Sequence, residues 1–127
     1  MLTQIQSGFY ALINACTTNT YNTIAPASSV LPYITFGLNS EVPIGDFEDF
    51  EGVENLTYWV NCFSSKSIAE CCSLADEVMG KLDDGVVSAS GFTTMKLVRE
   101  FIGNIIYDQE TGVWQQPLRF RLWLDKT

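Results

Sequence analysis

Leu56-Thr57-Tyr58-Trp59-Val60-Asn61-Cys62-Phe63, followed after Ser64-Ser65-Lys66 by Ser67-Ile68-Ala69-Glu70-Cys71-Cys72, changes character within a dozen positions. The first run is dense in aromatic and β-branched side chains, which suit a pleated strand and here imply cover on both faces. The second opens a helical period, with Ile68, Cys71, Cys72, Ala75, Val78, Met79 and Leu82 on one stripe. Ser67 and Glu70 have the spacing of a capping box, in which each side chain satisfies the other residue's orphan N–H. Glu70 also lies where the helix dipole favours negative charge. Gly85 follows Asp83-Asp84 where a left-handed C-terminal cap is expected. A strand feeding a capped amphipathic helix is therefore the central unit.

Working outward, Leu2, Ile5, Phe9, Leu12, Ile13 and Cys16 predict an N-terminal helix over 2–16, with Thr3 and Gln6 as a capping box and Gly8 as a mild weakness. Residues 17–29 are rich in Thr, Asn, Ser and Ala, which favour turns, and read as a loop. Ile34, Phe36 and Leu38 alternate with Tyr33, Thr35 and Gly37, a strand over 33–39. On the other side of the central helix, Thr94 to Tyr107 carries doubled apolar pairs that imply a bulge within a long strand. Asp108 to Gly112 makes a turn, and Leu118, Phe120, Leu122 and Leu124 alternate with Arg119, Arg121 and Trp123 in a closing hairpin strand. The expected fold class is α+β, with two helices packed on one face of a mainly antiparallel sheet of four to five strands. Trp59, Phe63, Trp114 and Trp123 exceed what two helices cover, so the other face of that sheet is expected to be an association surface.

The length, 127 residues, suits one domain over 1–127, and the 46% hydrophobic content is enough for a core. Seven basic against fifteen acidic residues give a net charge of −8, which removes the electrostatic term of ordinary nucleic-acid binding. There is no histidine, so the usual neutral-pH base and the commonest metal ligand are missing together. Cys16, Cys62, Cys71 and Cys72 do not form paired metal-ligand spacings and are expected to be reduced core thiols. No basic leader or spanning apolar run is visible, so the chain is expected to be made in the cytosol. Ser88 and Ser90 lack an activating base, and Asp83 and Asp84 sit at a helix end as turn formers. These residues predict no enzyme activity, cofactor or metal.

Charge is segregated. Residues 1–65 hold six acids and no Lys or Arg, while all seven basic residues lie between Lys66 and Lys126. The six acids crowd into a stretch expected as a long acidic loop at 41–54. An EF-hand beginning at Asp46 fails, because Phe50 and Glu51 stand where a ligand and the turn glycine belong. Phe47 and Phe50 among Asp46, Glu48, Asp49 and Glu51 suit a segment that orders on contact. One reading is a head-to-tail contact, this loop of one subunit against Arg99, Arg119 or Arg121 of the next, which generates a ring when the rotation closes; the other is a solvated loop.

Leu31-Pro32-Tyr33-Ile34-Thr35-Phe36-Gly37, the Leu56–Ser64 strand, the Ser67–Gly85 helix and Pro117-Leu118-Arg119-Phe120-Arg121-Leu122 follow in an order that resembles the tail terminator (tail-completion) proteins of long-tailed bacteriophages. The acidic loop departs from that pattern in length and charge. The resemblance implies a virion structural protein, assembled in the bacterial host cytoplasm, that sits as a hexameric ring at the head-proximal end of the tail. It implies that the ring ends polymerisation of the tail tube and joins tail to head. Its partners would be further copies of itself, the major tail tube protein and a head completion or connector protein, with no membrane and no specific nucleic-acid sequence. Two other readings are a head-side completion or connector protein and a small acidic inhibitor that mimics DNA. The mimic requires carboxylates spread over a surface, whereas these crowd into one loop.

Overall fold

β3 (Val53–Ser64) lies at the centre of the sheet in the computed structural model, which describes residues 2–14, 19–22, 31–44, 53–89 and 91–126. It pairs antiparallel with β2 (Tyr33–Ile44) on one side and β6 (Val113–Lys126) on the other. β4 (Phe92–Ile102) and the short β5 (Ile106–Asp108) both pair with the far edge of β6. β1 (Asn19–Asn22) adds to β2 in parallel, so the described strands form one mixed six-stranded sheet in the order β1-β2-β3-β6-β4.

Alternation sorts the side chains. Ile34, Phe36, Leu56, Tyr58, Val60, Cys62, Leu118, Phe120, Leu122 and Leu124 are buried on one side of the sheet. Both helices pack there. α1 (Leu2–Ile13) buries Ile5, Phe9 and Ile13, and Phe9 stacks on Tyr58 at 4.1 Å between ring centres and tilts against Phe36 at 5.5 Å. Gly8 has a packing reason: a Cβ there would stand 2.3 Å from the Ser88 carbonyl oxygen and 2.8 Å from Val87 Cγ1. α2 (Ile68–Leu82) buries Cys71, Leu74, Ala75, Val78 and Leu82 over β3, β6 and β4.

The fold class is α+β with two helices on one side of the sheet, as the sequence predicts. Several local details differ. Asn19–Asn22 falls inside the expected loop at 17–29, yet pairs with Tyr33–Phe36. Thr20 and Tyr21 suit a strand, but the flanking asparagines do not, and the pairing is supplied by the edge of β2. The acidic stretch expected as a loop at 41–54 is strand at both ends, with Glu41 opposite Leu56 and Ile44 opposite Val53. The pairing begun by the aromatic strand carries past Ser40 despite poor strand formers. Pro43 is tolerated because β1 covers only residues 33–36, which leaves this part of β2 on the edge of the described sheet.

The capping box on α2 forms by half. Ser67 Oγ accepts from the Glu70 N–H at 3.1 Å, but the Glu70 carboxylate accepts the Ser64 hydroxyl at 2.6 Å. The left-handed residue after α2 is Asp84 (φ 57), not Gly85. Asp tolerates that region, and its N–H reaches the Leu97 carbonyl at 2.9 Å. α1 already includes Thr3 in its first turn, and Cys16 lies outside the described residues. The bulged long strand is present: the register shifts between Thr94 and Lys96 and again between Arg99 and Phe101, and residues 103–105 separate β4 from β5. The hairpin into β6 is closed by the Gly112 N–H on the Asp108 carbonyl at 2.8 Å.

Burial raises the Tyr58 phenol from its ordinary 10.0 to about 12. Because the folded value is the higher one, its contribution is complete below pH 10 and is lost as pH rises through about 12. Urea melts are expected to show stability falling across that window by on the order of 2 to 3 kcal/mol more than in Tyr58→Phe, which lacks the ionisation.

Candidate assembly surface

On the side of the sheet away from the helices, odd-numbered residues of β3 and β6 alternate outward in register. One row runs Gly37, Trp59, Arg119, Phe101; the next holds Thr57, Arg121 and Val98; a third holds Asn55, Trp123 and Lys96. At the opposite end stand Tyr33, Phe63, Gln115 and Ile106. Trp123 is 39% exposed and Phe101 51% exposed, while Trp59 and Phe63 are half-buried. Thr35 and Thr57 are buried beneath this layer.

Side-chain contacts hold the surface in place. Trp123 Nε1 donates to Asn55 Oδ1 at 2.9 Å, and Gln115 Nε2 donates to Asn61 Oδ1 at 3.0 Å. The Tyr33 and Phe63 rings meet at 5.1 Å, with Tyr21 edge-on to Tyr33 at 5.9 Å. The indole of Trp59 lies across Gly37, where a Cβ would approach its Cζ2 to 2.5 Å. The guanidinium of Arg119 sits 5.5 Å above the Phe101 ring.

The three arginines expected at a contact are not brought together. Arg99 faces the helices, where it reaches Asp83 at 3.5 Å and the Met79 sulfur at 2.7 Å. The bulge before Phe101 separates it from the other two, which share the outer side. Arg121 is paired with Glu100. Arg119 has no carboxylate partner among the described residues. Asp46, Phe47, Glu48, Asp49, Phe50 and Glu51 lie outside the described residues. Trp114, expected on the association face, is on the helix side, half-buried against Tyr107 at 4.4 Å between rings. Its even position on β6 decides that.

Sequence reasoning missed a second exposed group. Phe101, Ile102, Ile106 and Tyr107 are each about half exposed at the β4–β5 edge. Their doubled pattern was the available signal, since a strand that breaks alternation cannot send every apolar side chain to one core.

Nothing in the described residues assembles a reactive centre. No group of three or more His, Cys, Asp or Glu side chains among them is placed to hold a metal. Cys62 and Cys71 are buried and unbridged, and the Cys71 thiol donates to the Cys62 carbonyl at 3.4 Å. Burial chiefly, with the neighbouring Cys72 adding, pushes the Cys71 thiol up to about 11, away from a nucleophilic thiolate. No described helix is long and apolar enough to cross a membrane.

The fold is shared with solved structures. A chain from the virion of a native gene transfer agent particle superposes with a TM-score of 0.68 at 15% identity, over 98% of this chain and 94% of that one. The gp17 protein of bacteriophage SPP1 superposes at 0.62 with 16% identity, over 94% of this chain and 88% of its own. No curated protein matches by sequence. A family model, that of tail completion protein gp17, matches residues 7–125, from within α1 to the next-to-last residue of β6. The class so defined is the virion structural proteins of bacteriophage tails. Within it, this chain belongs to the tail completion protein gp17 family.

Gly37→Ala is expected to lift the Trp59 indole from the sheet, shift its fluorescence emission to the red and destabilise the fold by about 1 to 3 kcal/mol in denaturant titration. An unchanged emission maximum would show that the indole has another resting place.

Proposed function

We propose that this protein caps the tail tube as a homo-oligomeric, hexameric ring, ends tube polymerisation and offers the completed tail end to a head completion or connector protein. It acts by contact and transforms no substrate. Membership of the family supplies the tail context, and the observation that carries the reading is the outer side of the sheet. Trp59, Trp123, Phe63 and Phe101 stand there among Arg119 and Arg121, and no described helix covers them. Aromatic and Arg residues on a firmly held surface are the groups from which association energy is usually built.

A head-to-tail contact uses two different patches of one subunit, and successive copies return to the start when the rotation closes. The major tail tube protein is the expected partner on one side of the ring and the connector protein on the other. That placement puts the protein at the head-proximal end of the tail, assembled in the host cytoplasm.

Light scattering coupled to size exclusion, run across protein concentration with and without tail tubes, tests this. The expected result is a concentration-dependent closed ring, seen as a cap on one tube end by negative-stain electron microscopy. A strict monomer that leaves tubes uncapped and still growing would overturn the reading.

A further inference from the structure

We infer that the Asp46–Glu51 segment of one copy docks on the β4–β5 edge of the next, over Phe101 and Ile106 beside Arg119. This rests on the ring reading and names the two surfaces that meet in it.

The patch has the chemistry of a site for an acidic, aromatic peptide. Phe101 and Ile106 are each 51% exposed on the outer side of the sheet. Arg119 lies over Phe101 with no carboxylate partner among the described residues. Arg99 and Arg121 are held by Asp83 and Glu100, so Arg119 is the outer guanidinium left to meet a negative group. The complementary sequence is Asp46-Phe47-Glu48-Asp49-Phe50-Glu51, which pairs carboxylates with apolar anchors at close spacing. In a chain of net charge −8, contact between copies is opposed by repulsion unless acids of one are set against a cation of the other.

Chain length decides that the occupant comes from a second copy. β2 ends at Ile44 and β3 begins at Val53 opposite it, so Phe47 and Phe50 are each three residues from a fixed strand end. Three extended residues reach at most about 11 Å, and a phenylalanine side chain adds about 5 Å. Ile106 lies in the row of Gln115 and Phe63, ten residues along β3 from Val53. At about 3.3 Å per residue that row is about 33 Å away. The segment therefore cannot reach Ile106 of its own subunit.

Disulfide trapping tests this. With Cys16→Ser and Cys72→Ser as background, differently tagged chains carrying Phe47→Cys and Ile106→Cys are mixed, assembled and mildly oxidised. The expected product is a covalent pair of unlike chains, absent when Ser73→Cys on the exposed face of α2 replaces Ile106→Cys. Arg119→Glu is expected to weaken assembly by about tenfold or more, and adding Glu48→Arg with Asp49→Arg to recover part of it. Circular dichroism checks that each variant is folded. Rings that form without the cross-link, with Arg119→Glu assembling like the parent, would overturn this docking and leave the ring reading intact. That outcome would assign the patch to the tube or connector protein. A parent chain that never oligomerises would remove both.

Discussion

Twelve successive residue pairs tie β3 to β6, from Val53 against Asp125 to Ser64 against Trp114. Side chains alternate across a strand, so a slip of one residue would exchange Tyr58 for Trp59 and Phe120 for Arg119. The core would then receive guanidinium groups and solvent would receive Leu118, Leu122 and Leu124. Desolvating an unpaired guanidinium is far costlier than any gain in ladder geometry, so only one register is available. Helix positions follow from it. Phe9 can stack on Tyr58 only while Tyr58 points to the helices, and α1 can come close there because Gly8 leaves room against Val87 and Ser88. The outer surface is the other half of the same choice.

Those elements whose periodicity is uninterrupted were legible in the sequence. The stripe from Ile68 to Leu82, the alternation from Ile34 to Leu38 and that from Leu118 to Leu124 each form the expected element, although Ile68 and Cys72 of the stripe are exposed and Leu74 takes a buried place in it. The rest depended on partners distant in sequence. Asn19–Asn22 is a strand because β2 has an edge to offer, and Glu41–Ile44 is a strand because β3 continues opposite it. Asp84 takes the left-handed turn because Leu97 presents a carbonyl to its N–H. Of the candidate contact residues, Arg119 and Arg121 were placed on the outer side by parity alone. Arg99 could not be, since a bulge changes parity and its position within an apolar run is not visible in composition.

β4 is an edge of the sheet among the described residues, and the stretch after α2 shields half of it. After α2, Asp84 donates to Leu97, the Val87 N–H donates to Thr94 Oγ1 at 2.9 Å, and Ala89 bridges to Phe92. This stretch covers the N-terminal part of the β4 edge, where an exposed strand invites unwanted pairing. Arg99 ties the end of α2 to the same strand through Asp83. Beyond Val98 that cover ends, and the bulge together with the break at 103–105 spoils the edge as a template for regular strand addition. What is left there among the described residues is a surface of side chains, Phe101, Ile102, Ile106 and Tyr107.

One inserted residue sets the chemistry of that surface. Arg99 pairs with Phe120 and Phe101 with Arg119, leaving Glu100 as the extra residue. Were alternation unbroken, position 101 would follow Arg99 to the helix side, and the outer side would carry Glu100 without the ring beside Arg119. The bulge instead presents Glu100 and Phe101 together on the outer side. Glu100 neutralises Arg121, while Phe101 lies under Arg119 and leaves its positive charge uncompensated among the described residues. Two arginines at adjacent outward positions of one strand thus acquire different surroundings, one neutralised by Glu100 and the other stacked over an aromatic ring. The difference comes from backbone geometry, since the residues have the same chemistry and belong to the same strand.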